Sequence, residues 1–533
     1  MPVEFRRSLA KSARSSCFRH HGFRSSRERA ILPRFANRDR TMKLNRRRTI
    51  QLLGAGALSA AGMRLASAAR SQKHRPNFLF FITDDQAQSA LSCYGNSILK
   101  TPNMDRVGNE GVRFEQAFVT NALCAPSRAS FLTGLYSHTH GVTTNGEEPG
   151  WEHQQGLSRD FDTWPKRLRE AGYASAVVGK WHIKSLPYGF DHFAILPGQG
   201  AYFDPPFIVN GGHVKFRGHT DDVIADQALS WLRHRPTDRP FCLLCQFKAP
   251  HSPWEAAPRF ADDFNDVEIP VPRAFERVPE GIPTPVLKTE MSVTDMDLTS
   301  RGVPRYLPAA QRKHANLQTF VKNYYRTLRG VDENVGRVLD YLDKEKLAEN
   351  TVVIYTSDNG FFLGEFGLFD KRLMYEPSIK IPLLMRWPAQ IDPRRVDDTH
   401  MVLNVDVAPT LLDVAGVAIP SHLHGRSWKP LLDDSRAEWR DAFLYEFFEY
   451  PAVHCVRKHR GIRTAEWKLI HFWEEPEEYA LYNLARDPDE LVNLARRPEH
   501  AARLEQLQTR LQQLRQETND TSSPPEIVAS ERA

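Results

Sequence analysis

The chain has 533 residues, of which 41% are apolar, 10% aromatic and 26% charged. That length calls for more than one hydrophobic core, and that composition excludes a disordered chain. The formal charge of +6 sits in residues 1–68, where 16 Lys and Arg face only Glu4, Glu28 and Asp39. The remainder is acidic by about seven charges, so no nucleic-acid partner is expected.

In chain order, residues 1–41 are Arg- and Ser-rich without periodicity and read as a disordered basic extension, with Met42 a candidate start. Residues 42–68 resemble a twin-arginine export signal. Arg47-Arg48 precede a Gly/Ala-rich run from Ile50 to Leu65, and Ala66-Ser67-Ala68 supplies small residues for cleavage. The expected partner is the twin-arginine export machinery, and the expected location is periplasmic or secreted. No run of about 18 apolar residues follows residue 70, so the mature protein is expected to have no membrane span. Losing the leader leaves Cys93, Cys124, Cys242, Cys245 and Cys455, an odd number, so at least one is unpaired. Cys242 and Cys245 lie three apart in an apolar run, which on a strand points them to opposite faces and into packing.

Four apolar runs lead directly into polar clusters. They are Asn77–Thr83 before Asp84-Asp85, Ala174–Val178 before Gly179-Lys180-Trp181-His182, Phe241–Phe247 before Lys248-Ala249-Pro250-His251, and Thr351–Thr356 before Ser357-Asp358-Asn359-Gly360. Such runs predict strands buried on both faces. Helical spacing appears over Asp222–His234 (Val223, Leu229, Leu232) and Thr319–Leu347 (Phe320, Leu328, Val331, Val335, Val338, Leu342). The alternation predicts an α/β sheet with helices on both faces and a site at the strand ends. The catalytic domain is expected over 75–427, with residues 252–312 a Pro-rich, charged loop insertion. A smaller α+β domain is expected over 428–517, with strands at Phe443–Tyr450 and Trp467–Phe472 and a helix presenting Leu504, Leu507, Leu511 and Leu514. Residues 518–533 are expected to be a disordered tail.

Within Leu123–Gly134, Pro126 suits a first helical turn and Gly134 a helix end. Cys124 then lies at the helix N-terminus, which predicts a lowered thiol pKa, with Arg128 on the same face. The bland alternative is a small buried Cys beside a capping Ser. Asp84, Asp85, Asp358 and Asn359 form an oxygen set at two strand ends, which suits Ca²⁺ or Mg²⁺ rather than zinc. Arg128, Lys180 and Lys371 are candidate cations for an anionic group. His182 and His251 can move protons near neutral pH, whereas His153, His219 and His500 lie outside such motifs.

The pattern Cys124-Ala125-Pro126-Ser127-Arg128 followed by Leu132-Thr133-Gly134 resembles the signature of the type I sulfatases. The other motifs match in order, from about Asn77 to Asn493. The resemblance implies an alkaline-phosphatase-like mixed sheet sandwiched by helices, with a smaller C-terminal α+β domain. It also implies a formylglycine made from Cys124 by a sulfatase-maturing enzyme, with the modified residue joining the metal shell beside Asp84, Asp85, Asp358 and Asn359. His251 would protonate the leaving alcohol, His182 would take a proton from the modified side chain, and Asp358 is a candidate to activate the attacking hydroxyl.

Thr356–Glu376, with Phe366 where many sulfatases carry His, resembles the N-acetylglucosamine-6-sulfatase branch, as do Phe190–Gly200 and Tyr445–Arg463. Asp370, Arg372 and His454 are the implied sugar contacts, with His454 reaching in from the second domain. The implied enzyme is an exo-acting sulfatase that removes 6-O-sulfate from N-acetylglucosamine in glycosaminoglycan, mucin or algal fragments. The alternatives are a phosphodiesterase or phosphonate monoester hydrolase of the same superfamily, or a non-catalytic sulfated-glycan-binding protein if Cys124 stays unmodified. A thiolate phosphatase fits poorly, because only three residues separate Cys124 from Arg128.

Overall fold

A computed structural model describes residues 75–146, 156–433 and 436–522. The expected basic extension and export signal, and residues 523–533 of the expected tail, lie outside the described residues.

Ten strands form one mixed sheet: β1 (Asn77–Thr83), β2 (Val112–Phe114), β3 (Ala174–Lys180), β4 (His192–Leu196), β5 (Pro206–Val209), β6 (Gly212–Lys215), β7 (Phe241–Gln246), β8 (Thr351–Ser357), β9 (Leu383–Arg386) and β10 (Arg395–Asp397). Their spatial order is β10-β2-β9-β8-β1-β7-β3-β4-β5-β6. The four apolar runs of the sequence are the adjacent parallel strands β8, β1, β7 and β3 at the sheet centre. Strand periodicity sends Phe78, Phe80, Ile82, Leu244 and Ile354 to one core and Leu79, Phe81, Leu243, Cys245 and Tyr355 to the other. Cys242 and Cys245 fall in different cores, as their spacing predicts, and all five cysteines among the described residues are unpaired.

Helices cover both faces. Phe131 and Leu132 of α1 (Cys124–Thr133) pack on the first core. Ile224, Ala228 and Leu232 of α2 (Thr220–His234) pack on the second, beside Phe320, Leu328 and Val335 of α3 (Ala309–Lys344). This is the expected alkaline-phosphatase-like sandwich. The long helix α3 begins at Ala309, ten residues before its apolar repeat and inside the expected loop insertion. Its first turns hold position through polar contacts that hydropathy does not register. Arg312 Nε donates to Thr294 O at 2.9 Å and Asn316 Nδ2 to Val293 O at 2.8 Å.

The C-terminal part is an antiparallel sheet of β11 (Ala442–Phe447), β12 (His459–Thr464), β13 (Trp467–Phe472) and β14 (Glu478–Asn483). Leu444, Ile462, Leu469 and Leu481 pack under Leu507, Leu511 and Leu514 of α4 (Ala501–Glu517). The opposite face, with Phe443, Tyr445, Ile470 and Tyr482, joins the main core. Just past α4, Asp520 accepts from Arg515 Nε at 2.6 Å, and its carboxylate lies 3.3 Å from Arg460 on β12, so residues 518–522 lie against this sheet. No helix among the described residues is long and apolar enough to cross a membrane.

Candidate active site

Strands β1 and β8 are in register, with Thr83 opposite Ser357, so their acidic tails leave the sheet side by side. The Asp85 backbone N–H donates to Asp358 Oδ1 at 3.0 Å, and Asn359 Nδ2 donates to Asp85 Oδ1 at 2.8 Å. Asp84, Asp85 and Asp358 each place a carboxylate oxygen within 4.8 Å of the other two. Helix α1 delivers the Cys124 sulfur 3.3 Å from Asp84 Oδ1 and 3.9 Å from Asp85 Oδ1. The five residues expected to hold a metal therefore converge on one buried point.

Asp85 adopts left-handed backbone (φ 70°), which costs on the order of 1–3 kcal/mol for a non-glycine residue. Its surroundings impose that conformation: Tyr324 Oη donates to Asp85 O at 2.7 Å while Asp358 and Asn359 bind it from the other strand. His182 (φ 56°), Asp370 (φ 75°), Arg372 (φ 83°) and His454 (φ 66°) share this strain, so five of the expected site residues sit in costly conformations.

Two cations serve the acidic floor and a third braces it. Lys180 Nζ pairs with Asp84, and Lys371 Nζ pairs with Asp85 Oδ2 at 2.6 Å while lying 3.4 Å from the Cys124 sulfur. Arg128 contacts Asp358 Oδ2 through Nε and Nη2, both at 2.9 Å. It also donates to the Lys180 carbonyl (2.6 Å) and to Gln246 Oε1 (2.7 Å). His251 Nε2 lies 3.7 Å from Asp85 Oδ2, and its Nδ1 is 2.7 Å from Ser252 O. His182 is buried two residues past Lys180 and lines a cavity of about 340 Å³. Asn145, which lines the same cavity, accepts from the Ala125 N–H beside Cys124 at 3.1 Å.

Burial dominates the electrostatics. It pushes Asp358 up to about 7, against the pull of Arg128, and it raises Asp85 despite Lys371. Asp84 would also rise on burial, but Lys180, His251 and Arg128 hold it well below the usual carboxylate range. His251 is held well below an ordinary imidazole by burial and Lys180. The expected lowering of the Cys124 thiol pKa is overturned. The thiol is fully buried against Asp84, and both effects push it up, outweighing Lys371 and Lys180.

The oxygen chemistry of this floor fits a divalent cation. Three mutually repelling buried carboxylates gain from one, and Asn359 Oδ1 is buried with no hydrogen-bond partner among the described residues. The carboxylate against the Cys124 sulfur is Asp84, whereas Asp358 is engaged by Arg128 and the Asp85 N–H.

The implied sugar contacts lie together beside Lys371. Arg372 donates to Asp370 Oδ1 at 2.7 Å, and His454 Nε2 is 2.8 Å from Asp370 Oδ2. Burial would raise Asp370, but Arg372, Lys371 and His454 hold it well below the usual range. Four further residues escaped sequence reasoning. Gln246 ends β7 and accepts from Arg128. Gln199 accepts from Lys180 Nζ at 2.5 Å and, through its carbonyl, from Lys248 Nζ at 2.9 Å. Burial and Lys180 push Lys248 down to about 8. Tyr202 Oη donates to His251 O at 2.5 Å. Gln246 and Lys248 adjoin the end of an apolar run that signalled a strand, but no motif distinguished them from ordinary strand-end polarity.

The family described as Sulfatase matches residues 76–417, and the one described as N-sulphoglucosamine sulphohydrolase, C-terminal, matches residues 364–517. A Bacteroides thetaiotaomicron N-acetylglucosamine-6-O-sulfatase is 39% identical over 515 residues, covering 87% of this chain and 91% of that protein. The human N-acetylglucosamine-6-sulfatase is 29% identical over 477 residues, covering 79% and 81%. A solved structure in complex with its substrate D-glucosamine-2-N,6-O-disulfate superposes with a TM-score of 0.78 at 38% identity, covering 85% of this chain and all of that one. The phosphonate monoester hydrolase of Agrobacterium radiobacter shares the fold, with a TM-score of 0.66 at 23% identity, covering 83% and 96%.

Proposed function

This chain belongs to the sulfatase family and is a sulfuric ester hydrolase, and from that premise we propose that it removes the 6-O-sulfate of N-acetylglucosamine. The similarity to N-acetylglucosamine-6-sulfatases and the clustering of Asp370, Arg372 and His454 beside Lys371 support that substrate. The single observation that carries the chemistry is the convergence of Asp84, Asp85, Cys124, Asp358 and Asn359.

Asp84, Asp85, Asp358 and Asn359 would hold a Ca²⁺, with Mg²⁺ the alternative, and the ion would polarise the ester sulfate. A formylglycine made from Cys124 by a sulfatase-maturing enzyme would supply the nucleophilic hydroxyl. Lys180 and Lys371 bind the anionic sulfate oxygens, whose charge is retained through sulfuryl transfer. Arg128 locks Asp358 and the Lys180 carbonyl so that both strand ends keep their spacing. His251 would give a proton to the departing sugar oxygen, which requires the bound sulfate anion to offset the burial and the Lys180 charge that hold its imidazole neutral in the free site. His182 takes a proton from the side chain at position 124. Asp370, Arg372 and His454 grip sugar hydroxyls, fixing which ester reaches Lys371.

The enzyme acts on exposed sulfated sugars of glycosaminoglycan, mucin or algal fragments after export by the twin-arginine machinery to the periplasm or beyond. The export reading rests on Arg47-Arg48 and the small-residue site at 66–68. Assay of the matured protein against defined sulfated sugars tests the substrate. Release of sulfate from 6-O-sulfated N-acetylglucosamine is expected, and turnover of another sulfated sugar with this one untouched would refute the specificity.

A further inference from the structure

The ammonium of Lys180 is held from two sides, by Asp84 and by Gln199 Oε1 at 2.5 Å. Gln199 belongs to the turn Pro197-Gly198-Gln199-Gly200 that follows β4. Gly200 N–H donates to Pro197 O at 3.1 Å, and both glycines take positive φ, 53° and 71°. A Cβ on Gly200 would fall 2.8 Å from Leu196 Cδ1, so the turn closes against its own strand and keeps residue 199 over the site. The Gln199 carbonyl is tied down in turn. Lys248 is 1% exposed, and its Nζ, 4.8 Å from the Tyr202 ring centroid, donates to that carbonyl at 2.9 Å.

A lysine is a point charge on a long, flexible stem that loses rotamer freedom when its ammonium is held in one place. Asp84 alone would draw that charge down into the acidic floor, where Cys124 and Arg128 already approach the same carboxylate. A neutral amide oxygen on the other side fixes the ammonium without cancelling its charge. A carboxylate at that position would cancel it and would also repel an incoming sulfate.

We propose that Gln199, clamped through its carbonyl by Lys248, is a positioning residue that holds the Lys180 ammonium toward the sulfate group of the ester. This rests on the assignment of Lys180 as a sulfate-binding cation under the proposed function, and it adds a part that no strand-end motif supplies.

The experiment compares Gln199→Ala, Gln199→Glu, Lys248→Met, Lys180→Ala and the double variants with Lys180→Ala, in matured protein. The substrates are an aryl sulfate and 6-O-sulfated N-acetylglucosamine, with Tm measured for each variant. Gln199→Ala is expected to lower kcat/KM on both esters by about tenfold at unchanged Tm, and to cost nothing further once Lys180 is gone. Gln199→Glu, nearly isosteric, is expected to be worse than Gln199→Ala, the reverse of what a packing role predicts. Lys248→Met is expected to act in the same direction and to lose its effect in the Lys180→Ala background. Wild-type turnover in Gln199→Glu, or an equal Gln199→Ala penalty with and without Lys180, would overturn the inference alone. A fully active Lys180→Ala enzyme would overturn the assignment of Lys180 and the inference with it.

Discussion

Asn359 carries a test of the metal site that does not need turnover. Its Oδ1 is buried without a hydrogen-bond partner among the described residues while its Nδ2 is committed to Asp85, so the oxygen is the atom left for a cation. Asn359→Leu and Asp85→Ala should both lower the molar metal content of the purified protein, read by elemental analysis. Full occupancy in both would place the ion elsewhere. Cys124→Ala should abolish sulfate release while leaving Tm near that of the parent, because an Ala fits the space of a buried thiol and the helix around it is unchanged. Retained turnover would remove position 124 from the chemistry. These residues were legible in the sequence because chemistry restricts residue type: four oxygen donors at two strand ends and a Cys at the start of a helix have few other reasons to coincide. The state of the thiol was not legible. Burial raises the thiol first and Asp84 second, and neither shows in the local sequence: Asp84, forty residues away, stands 3.3 Å from the sulfur.

At the scale of an element, the central strands announced themselves because burial on both faces demands an unbroken apolar run. β12 did not. Its residues His459–Thr464 include Arg460 and Arg463, whose charges are met by Asp520 and Glu376 from distant parts of the chain, and no window of sequence contains both partners. The end of β3 shows how tightly an element can be tied to the site it carries. Gly179 has φ 103°, and a Cβ there would lie 1.9 Å from the Gln246 carbonyl oxygen of β7. Gly179→Ala must therefore separate β3 from β7 at the point where Gln246 meets Arg128 and Lys180 begins. The backbone conformation alone should cost about 1–3 kcal/mol, with the strand displacement added. A lower Tm together with reduced sulfate release is expected. A parent-like Tm would mean that β7 yields freely, and the coupling of these two strands to the site would fall.

The molecule as a whole builds its site from two sheets, and the small one makes two distinct contributions. One is His454, which crosses to Asp370 at 2.8 Å. If it reads the sugar, His454→Ala should lower kcat/KM on 6-O-sulfated N-acetylglucosamine by roughly ten- to a hundredfold, the worth of about 1.5–3 kcal/mol in a charged hydrogen bond. Hydrolysis of an aryl sulfate, which has no hydroxyls to grip, should be nearly unaffected. An equal loss on both esters would make His454 a part of the chemistry instead. The other contribution is a buttress behind α1. His138 Nδ1 lies 2.7 Å from Glu446 Oε2 on β11, and its Nε2 lies 3.0 Å from the Thr518 carbonyl at the end of α4. Burial would lower the His138 pKa, but the hydrogen bond and charge of Glu446 outweigh it and raise the value above that of a free imidazole. The folded protein then holds a proton that the unfolded chain releases at about pH 6.5, so this pair stabilises fully below that pH and loses its contribution as pH rises through the raised value. The Tm gap between parent and His138→Gln should therefore be widest in mild acid and shrink toward alkaline pH. A gap that stays constant or widens with pH would show that the imidazole is neutral in the fold, and that the small sheet is held there by shape rather than by charge.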